Sequence, residues 1–103
     1  MTRAETQLVA KAKQLGLPLA TLANRILKVD AHQQLHMLVP ADFAKAHNVL
    51  PLFLDGDMLA LAVAEPNEET FAAVRLFTRC TLQPFLARPD ELEAAIERFY
   101  STP

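Results

Sequence analysis

Residues 49–64 constrain the fold of this chain more than any other stretch. Two apolar runs, Val49–Leu54 and Met58–Ala64, flank Asp55-Gly56-Asp57. Apolar strands on either side of an Asp-Gly step are a strong local signal for a tight β-hairpin. Pro51 lies in the first run, and the second run has no proline. A proline has no N–H for a ladder, so the first run is an edge strand. The second run is apolar on both faces and takes the centre, with Leu59, Leu61 and Val63 on one side and Ala60, Ala62 and Ala64 on the other. The small alanine face would let a helix approach closely.

Glu65-Pro66-Asn67 ends the second strand and opens a helix over about residues 68–78, whose apolar face is Phe71, Val74 and Phe77. A third strand follows over Cys80–Leu86, and Pro84 makes it an edge strand too. Strands two and three are separated by one helix, so they should run parallel through a right-handed crossover. Pro89 and the capping box Asp90-x-x-Glu93 open the last helix. Leu92, Ala95, Ile96, Phe99 and Tyr100 form its apolar stripe.

Before the hairpin the signals are helical. Thr2-x-x-Glu5 is a capping box, Leu8, Val9, Ala12 and Leu15 recur at helical spacing, and Gly16 suits a C-cap. Leu17-Pro18-Leu19 leaves in extended form, and residues 20–29 carry no clear pattern. Asp30 caps a short helix over about 31–38, with Leu35 and Leu38 inward. Pro40 begins a further turn carrying Phe43 and Ala44, and Asn48 ends it. The expected fold is α/β (α+β): a small three-stranded mixed sheet packed with four to five helices, in the order α-α-β-β-α-β-α. The expected organisation is a single domain over 1–103, with a helical part at 1–48, a ββαβα part at 49–100 and a frayed tail at 101–103. The expected core is Leu8, Leu15, Leu35, Leu38, Phe43, Leu50, Leu52, Leu59, Leu61, Val63, Phe71, Val74, Phe77, Leu82, Leu86, Leu92, Ile96 and Phe99.

Composition narrows the function classes. The chain has 103 residues, 51% of them hydrophobic, enough for one core. No apolar run reaches the roughly 18 residues of a membrane span, and the first residues lack a signal-peptide core. Ten basic and twelve acidic residues are intermixed at a net charge of −2, which is no nucleic-acid or membrane-surface footprint. The single cysteine, Cys80, allows no internal disulfide, suits a cytoplasmic setting, and reads as a packed, inert thiol.

No catalytic or cofactor site is expected. His32 and His36 stand at ligand spacing on a helix, but Gln33 follows where the zinc-protease pattern needs Glu, so they read as a solvated face. His47 precedes a helix end, where an imidazolium suits the dipole. Asp55 and Asp57 are turn residues, Glu68 and Glu69 sit in a first helical turn, and Glu91, Glu93 and Glu97 line a polar face. The lone serine, Ser101, lies in the tail, and no phosphate-cradling glycine loop exists. Arg75 and Arg79 lie four apart on one helix and could form a small anion- or partner-contacting patch, or pair with Glu68 or Glu69. With Gln83 on the third strand, they are the candidate partner contacts, and pairing along that strand edge is one available mode.

Taken in order, several short motifs resemble the N-terminal domain of type II secretion and type IV pilus assembly ATPases (the GspE N-terminal, or MshEN, type), in the C-terminal part of that region. They are Leu15-Gly16-Leu17-Pro18, Val39-Pro40-Ala41-Asp42-Phe43-Ala44, Val49-Leu50-Pro51-Leu52, the Asp55-Gly56 hairpin, Leu61-Ala62-Val63-Ala64-Glu65-Pro66 and Ala95-Ile96-Glu97-Arg98-Phe99-Tyr100. The resemblance covers roughly Glu5 to Tyr100. It departs at Glu65, where the family usually has Asp, and at Arg79, where it often has a helix-ending glycine, so the usual cap geometry there is open. The resemblance implies a non-catalytic docking or adaptor domain in the cytoplasm, held near the inner membrane by a platform or regulatory protein of the secretion or pilus machine. Some members bind cyclic di-GMP through helical motifs beginning R-L-G, N-terminal to the matched segment. This chain has no R-L-G, so cyclic di-GMP binding is not expected. The alternative function is a cyclic di-GMP or other nucleotide-sensing regulatory domain.

Overall fold

The hairpin forms as the prolines require. In a computed structural model, which describes residues 3–21, 25–27 and 35–101, β1 (Val49–Asp55) pairs antiparallel with β2 (Met58–Val63). β2 then pairs parallel with β3 (Thr81–Leu86), in the sheet order β1-β2-β3. Five helices surround the sheet among the described residues: α1 (Arg3–Leu15), α2 (Leu35–Leu38), α3 (Ala41–His47), α4 (Glu68–Thr78) and α5 (Pro89–Ser101). The turn expected after Pro40 is a helix of its own. No described helix is long and apolar enough to cross a membrane.

The hairpin turn is one residue later than the Asp-Gly signal suggests. Asp55 belongs to β1 and pairs with Met58, leaving Gly56 and Asp57 as the loop. Only Gly56 has positive φ (+62°), the pattern of a type II′ turn with glycine at its first central position. The Asp57 carbonyl accepts from the Thr81 N–H at 2.8 Å, which ties the turn to the start of β3.

A β-bulge beside Pro51 decides which side chains reach the core. Pro51 pairs with Leu61, but Phe53 pairs with Ala60, so Leu52 is the extra residue. Without the bulge, Phe53 would stand on the face of Leu59 and Leu61. With it, Leu54 takes that face and Phe53 moves to the alanine face. There the Phe53 ring meets Phe85 of the opposite edge strand at 6.0 Å, in an edge-to-face arrangement. Phe53 and Phe85 are in register with Ala60 and Ala62. The small central residues therefore make room for two phenyl rings.

The main core joins β2, wholly buried from Leu59 to Val63, to Leu50, Leu52, Phe71, Val74, Leu92, Ala95 and Ile96. Each fully buried leucine contributes roughly 1.5–3 kcal/mol. Ala20 and Leu27 join this core from the segment with the weakest sequence pattern, and Val39 joins it from the residue before Pro40. A smaller cluster packs Leu8 and Ala12 of α1 on Leu86, with Leu17 and Leu19 against it.

Two expected core residues are on the surface. Leu15 is 45% exposed, because the chain reverses at Gly16 (φ +69°) and Leu17 and Leu19 take the place beside Leu8 and Ala12. Phe77 is 44% exposed, because Thr70, Phe71 and Val74 use up the buried side of α4 and leave its last turn at the rim. There Phe77 meets Phe43 in an edge-to-face arrangement, ring centroids 5.0 Å apart. Leu38, Phe43, Leu82 and Phe99 pack at the margin of the core.

The helix ends divide into those the sequence marks and those it does not. Asn67 caps α4, its Oδ1 accepting from the N–H groups of Glu69 and Thr70 at 2.9 and 3.3 Å. Asn48 ends α3 in the left-handed region, as expected. The Asp90-x-x-Glu93 capping box does not form. α5 begins at Pro89, the Arg88 carbonyl accepts from Leu92 N–H at 2.9 Å, and Asp90 is already inside the first turn. The Thr2 capping box, the Asp30 cap and His32 lie outside the described residues. His36 falls within α2.

Candidate functional site

The carboxyl ends of the parallel pair β2 and β3 form one candidate site. In open parallel α/β sheets ligands bind outside the carboxyl ends of the strands, and β2 and β3 are the parallel pair here. Here Val63 and Leu86 are in register, and the Ala87 N–H continues the ladder onto the Val63 carbonyl at 2.9 Å. Beyond this point the chain turns into α4 on one side and α5 on the other. A cleft of about 250 Å³ opens there, lined by Gln7, Leu8 and Lys11 of α1, by Ala64 and Glu65, and by Ala87 to Asp90.

Both cations of this cleft are held by carboxylates. Lys11 Nζ lies 2.8 Å from Glu65 Oε1 and 3.5 Å from the Ala64 carbonyl oxygen. Arg88 forks onto Asp90, with Nε donating to Oδ1 at 3.1 Å and Nη2 to Oδ2 at 2.7 Å. Desolvation raises the Asp90 carboxyl, but the hydrogen bonds from Arg88 and from the backbone of Glu91 and Asp90 outweigh it and hold the group below the usual carboxylate range. Asp90 thus occupies both the guanidinium and the donors at the start of α5. An incoming anion would meet this site by competing with Asp90 and Glu65. The sequence reading missed Lys11 and Arg88. The available signal was Arg88-Pro89, a cation placed where a strand end meets a helix start.

The C-terminal end of α4 is the second candidate, and the structure separates its expected members. Arg75 pairs with Glu68, one of the two partners the sequence offered. Arg79 is not on the helix face. It is the C-cap, at φ 59° and ψ 24°, with its N–H on the Arg75 carbonyl at 2.8 Å. An arginine therefore keeps the left-handed cap that a glycine would adopt freely, at a cost of roughly 1 kcal/mol. Its guanidinium makes no ion pair among the described residues. Leu76, beside these arginines, is 81% exposed, and the sequence reading did not single it out.

Gln83 lies in β3, and its Nε2 donates to the Pro84 carbonyl at 3.0 Å. The outer edge of this strand is partly closed. Leu86 bonds Pro18 and Ala20 of the segment after α1 at 2.8 and 2.9 Å, and Pro84 has no N–H to offer. The structure thus leaves little of that edge for an added strand. Cys80 is partly buried, with Sγ 3.5 Å from the Thr78 carbonyl. His47 stacks on Phe43, their rings 4.3 Å apart. Among the described residues no three His, Cys, Asp or Glu side chains group as metal ligands.

Comparison with known proteins agrees with the fold. The family model of the MshEN domain matches residues 15–103. A structure of MshE with cdg superposes with a TM-score of 0.77 at 24% identity, over 91% of this chain and 66% of that one. The N-terminal domain of XpsE superposes in one crystal form with a TM-score of 0.71 at 22% identity, over 92% of this chain and 65% of that one. A second crystal form of XpsE gives 0.74 at 24% identity, over 95% and 67%. The chain spans about two thirds of the length of these solved chains. A comparison with curated proteins found no match.

The MshE structure corrects one expectation. The lack of an R-L-G argues against cyclic di-GMP, yet MshE, which has this fold, was solved with cdg, cyclic di-GMP. A missing local motif tests only one way of meeting a ligand. A fold also brings together groups far apart in sequence, as Lys11 and Arg88 are here. The order of elements, the mixed three-stranded sheet and the match over residues 15–103 together establish that the chain belongs to the MshEN domain family, found as the N-terminal domain of type II secretion and type IV pilus ATPases.

Proposed function

We propose that this domain is a nucleotide-sensing regulatory domain of a secretion or pilus ATPase, with cyclic di-GMP as its ligand. The observation that carries this reading is the superposition of 91% of the chain on MshE with cdg. The cleft at the carboxyl ends of β2 and β3 supports it. Lys11 and Arg88 are two cations on separate elements, and each is paired with a carboxylate that a phosphate could replace. Isothermal titration of the 103-residue chain with cyclic di-GMP tests the reading. Saturable heat that falls when Arg88 is changed to Ala supports it. No heat with the ligand at about ten times the micromolar dissociation constant of a useful sensor overturns it.

A sensor needs a surface that passes its state on, so docking remains part of the proposal. Of the contacts chosen from sequence, Arg79 makes no ion pair among the described residues, whereas Arg75 is paired with Glu68 and Gln83 is turned onto Pro84. The exposed Leu76 beside Arg79 favours the end of α4 as that surface.

A further inference from the structure

We infer that this domain associates weakly with a second copy of itself, the end of α4 in one copy seating in the cleft between α3 and α5 of the other. This rests on the docking reading and is independent of nucleotide binding. Both halves of the contact are present in one chain. The donor half is a ridge: Leu76, 81% exposed, is followed by Phe77, 44% exposed, and by the Arg79 guanidinium. Leu76 and Phe77 put two apolar side chains in water at the end of the helix. Arg79 retains a strained cap where a glycine would relax it, and strained backbone concentrates at functional positions.

The acceptor half is a cleft of about 220 Å³ with Lys45 and Asn48 on the α3 side and Glu93, Ile96 and Glu97 on the α5 side. This is below the roughly 300 Å³ at which pockets for drug-sized ligands begin, so it fits one or two side chains. Ile96 gives it an apolar floor. Glu93 and Glu97 lie one helical turn apart on the rim, and neither has an ion-pair partner among the described residues. An aliphatic side chain with a cation three residues later matches this cleft, and Leu76 with Arg79 has that spacing. Lys45 on the opposite wall directs the arginine to the α5 side.

A few residues on each side fall well short of the roughly 20–30 per partner of a stable interface, so the contact is weak, with a dissociation constant on the order of 100 μM. The ridge and the cleft are different patches. The contact therefore closes as a two-fold pair only if each copy gives its ridge to the other, and otherwise propagates head to tail.

Sedimentation equilibrium on the full chain, from about 10 μM to about 1 mM around that constant, tests the inference. The weight-average mass should rise with concentration for the native chain. It should stay at the monomer value for Leu76→Ser, for Arg79→Glu and for the double variant Glu93→Arg, Glu97→Arg. These residues are exposed, so unchanged thermal melts will show that the variants fold. Mixing Arg79→Glu with the Glu93→Arg, Glu97→Arg variant should restore association, because the reversed charges again complement each other. A native chain that stays monomeric throughout overturns the inference. So does association unaffected by Leu76→Ser and Arg79→Glu, or association lost in the single variants and not restored on mixing. Cyclic di-GMP titration reads out separately, so failure of one proposal leaves the other intact.

Discussion

α4 and α5 follow the same rule in sequence and meet different fates in the fold. Each begins with acidic residues, ends with an arginine in its last turn, and repeats apolar residues at helical spacing. α5 buries its stripe from Leu92 through Ile96, and its last aromatics still reach protein, with the Tyr100 hydroxyl donating to the Val39 carbonyl at 2.6 Å. α4 buries Thr70, Phe71 and Val74 and then leaves Phe77, the last residue of the same stripe, at the surface, while Leu76 lies off that stripe. The difference is what lies beneath. α5 crosses towards β1 and α3, whereas the last turn of α4 stands at the rim of a sheet with only three strands. Amphipathic spacing states which face of a helix can be buried, and the extent of the opposing surface decides how much of it is.

The strongest way to break this comparison is to truncate one leucine on each helix. Leu92→Ala removes a fully buried side chain and should cost about 2–5 kcal/mol in urea unfolding, whereas Leu76→Ala should stay within about 0.5 kcal/mol. Equal effects would mean that α4 is covered in the native state.

A smaller effect is expected at the far end of α5. Tyr100→Phe removes the hydrogen bond to Val39 and should cost about 1 kcal/mol. Burial raises the phenol well above its ordinary value near 10. The folded protein therefore favours neutral tyrosine, and this contribution is complete below about pH 10 and lost as pH rises beyond it. Native stability should fall more steeply above pH 10 than that of Tyr100→Phe, and parallel pH curves would remove Tyr100 from the account.

The smallest effect belongs to the end of α4. Arg79→Gly relieves the left-handed cap and should raise stability by a few tenths to about 1 kcal/mol, a small rise in the thermal midpoint. The same change should weaken self-association. A lower midpoint would show that the Arg79 side chain stabilises the fold.

The sheet and its order were legible because they follow from local chemistry. Gly56 turns the chain, Pro51 and Pro84 make edges of their strands, and an apolar β2 can only be central. Asn67 and Gly16 were legible as helix ends for the same kind of reason. The bulge at Leu52 was not, because it arises from pairing between strands and leaves no mark on either strand alone. Nor was the candidate site. Lys11 and Glu65 are 54 residues apart, and no spacing rule along the chain connects them. Arg79 is legible as a departure from the glycine pattern, but only the structure shows that the cap is kept and that its guanidinium makes no ion pair among the described residues.

By itself the sequence determined the type of nearly every element, the strand order and the family, because turn residues, prolines and apolar periodicity act within a few residues of one another. The tertiary structure alone decided which apolar side chains are covered, as Leu15 and Phe77 are not and Leu27 and Val39 are. It also decided that Lys11 meets Glu65 and that, among the described residues, Arg79, Glu93 and Glu97 have no ion-pair partner. Burial and long-range charge pairing depend on what stands opposite a residue, and there the opposite group comes from a distant part of the chain.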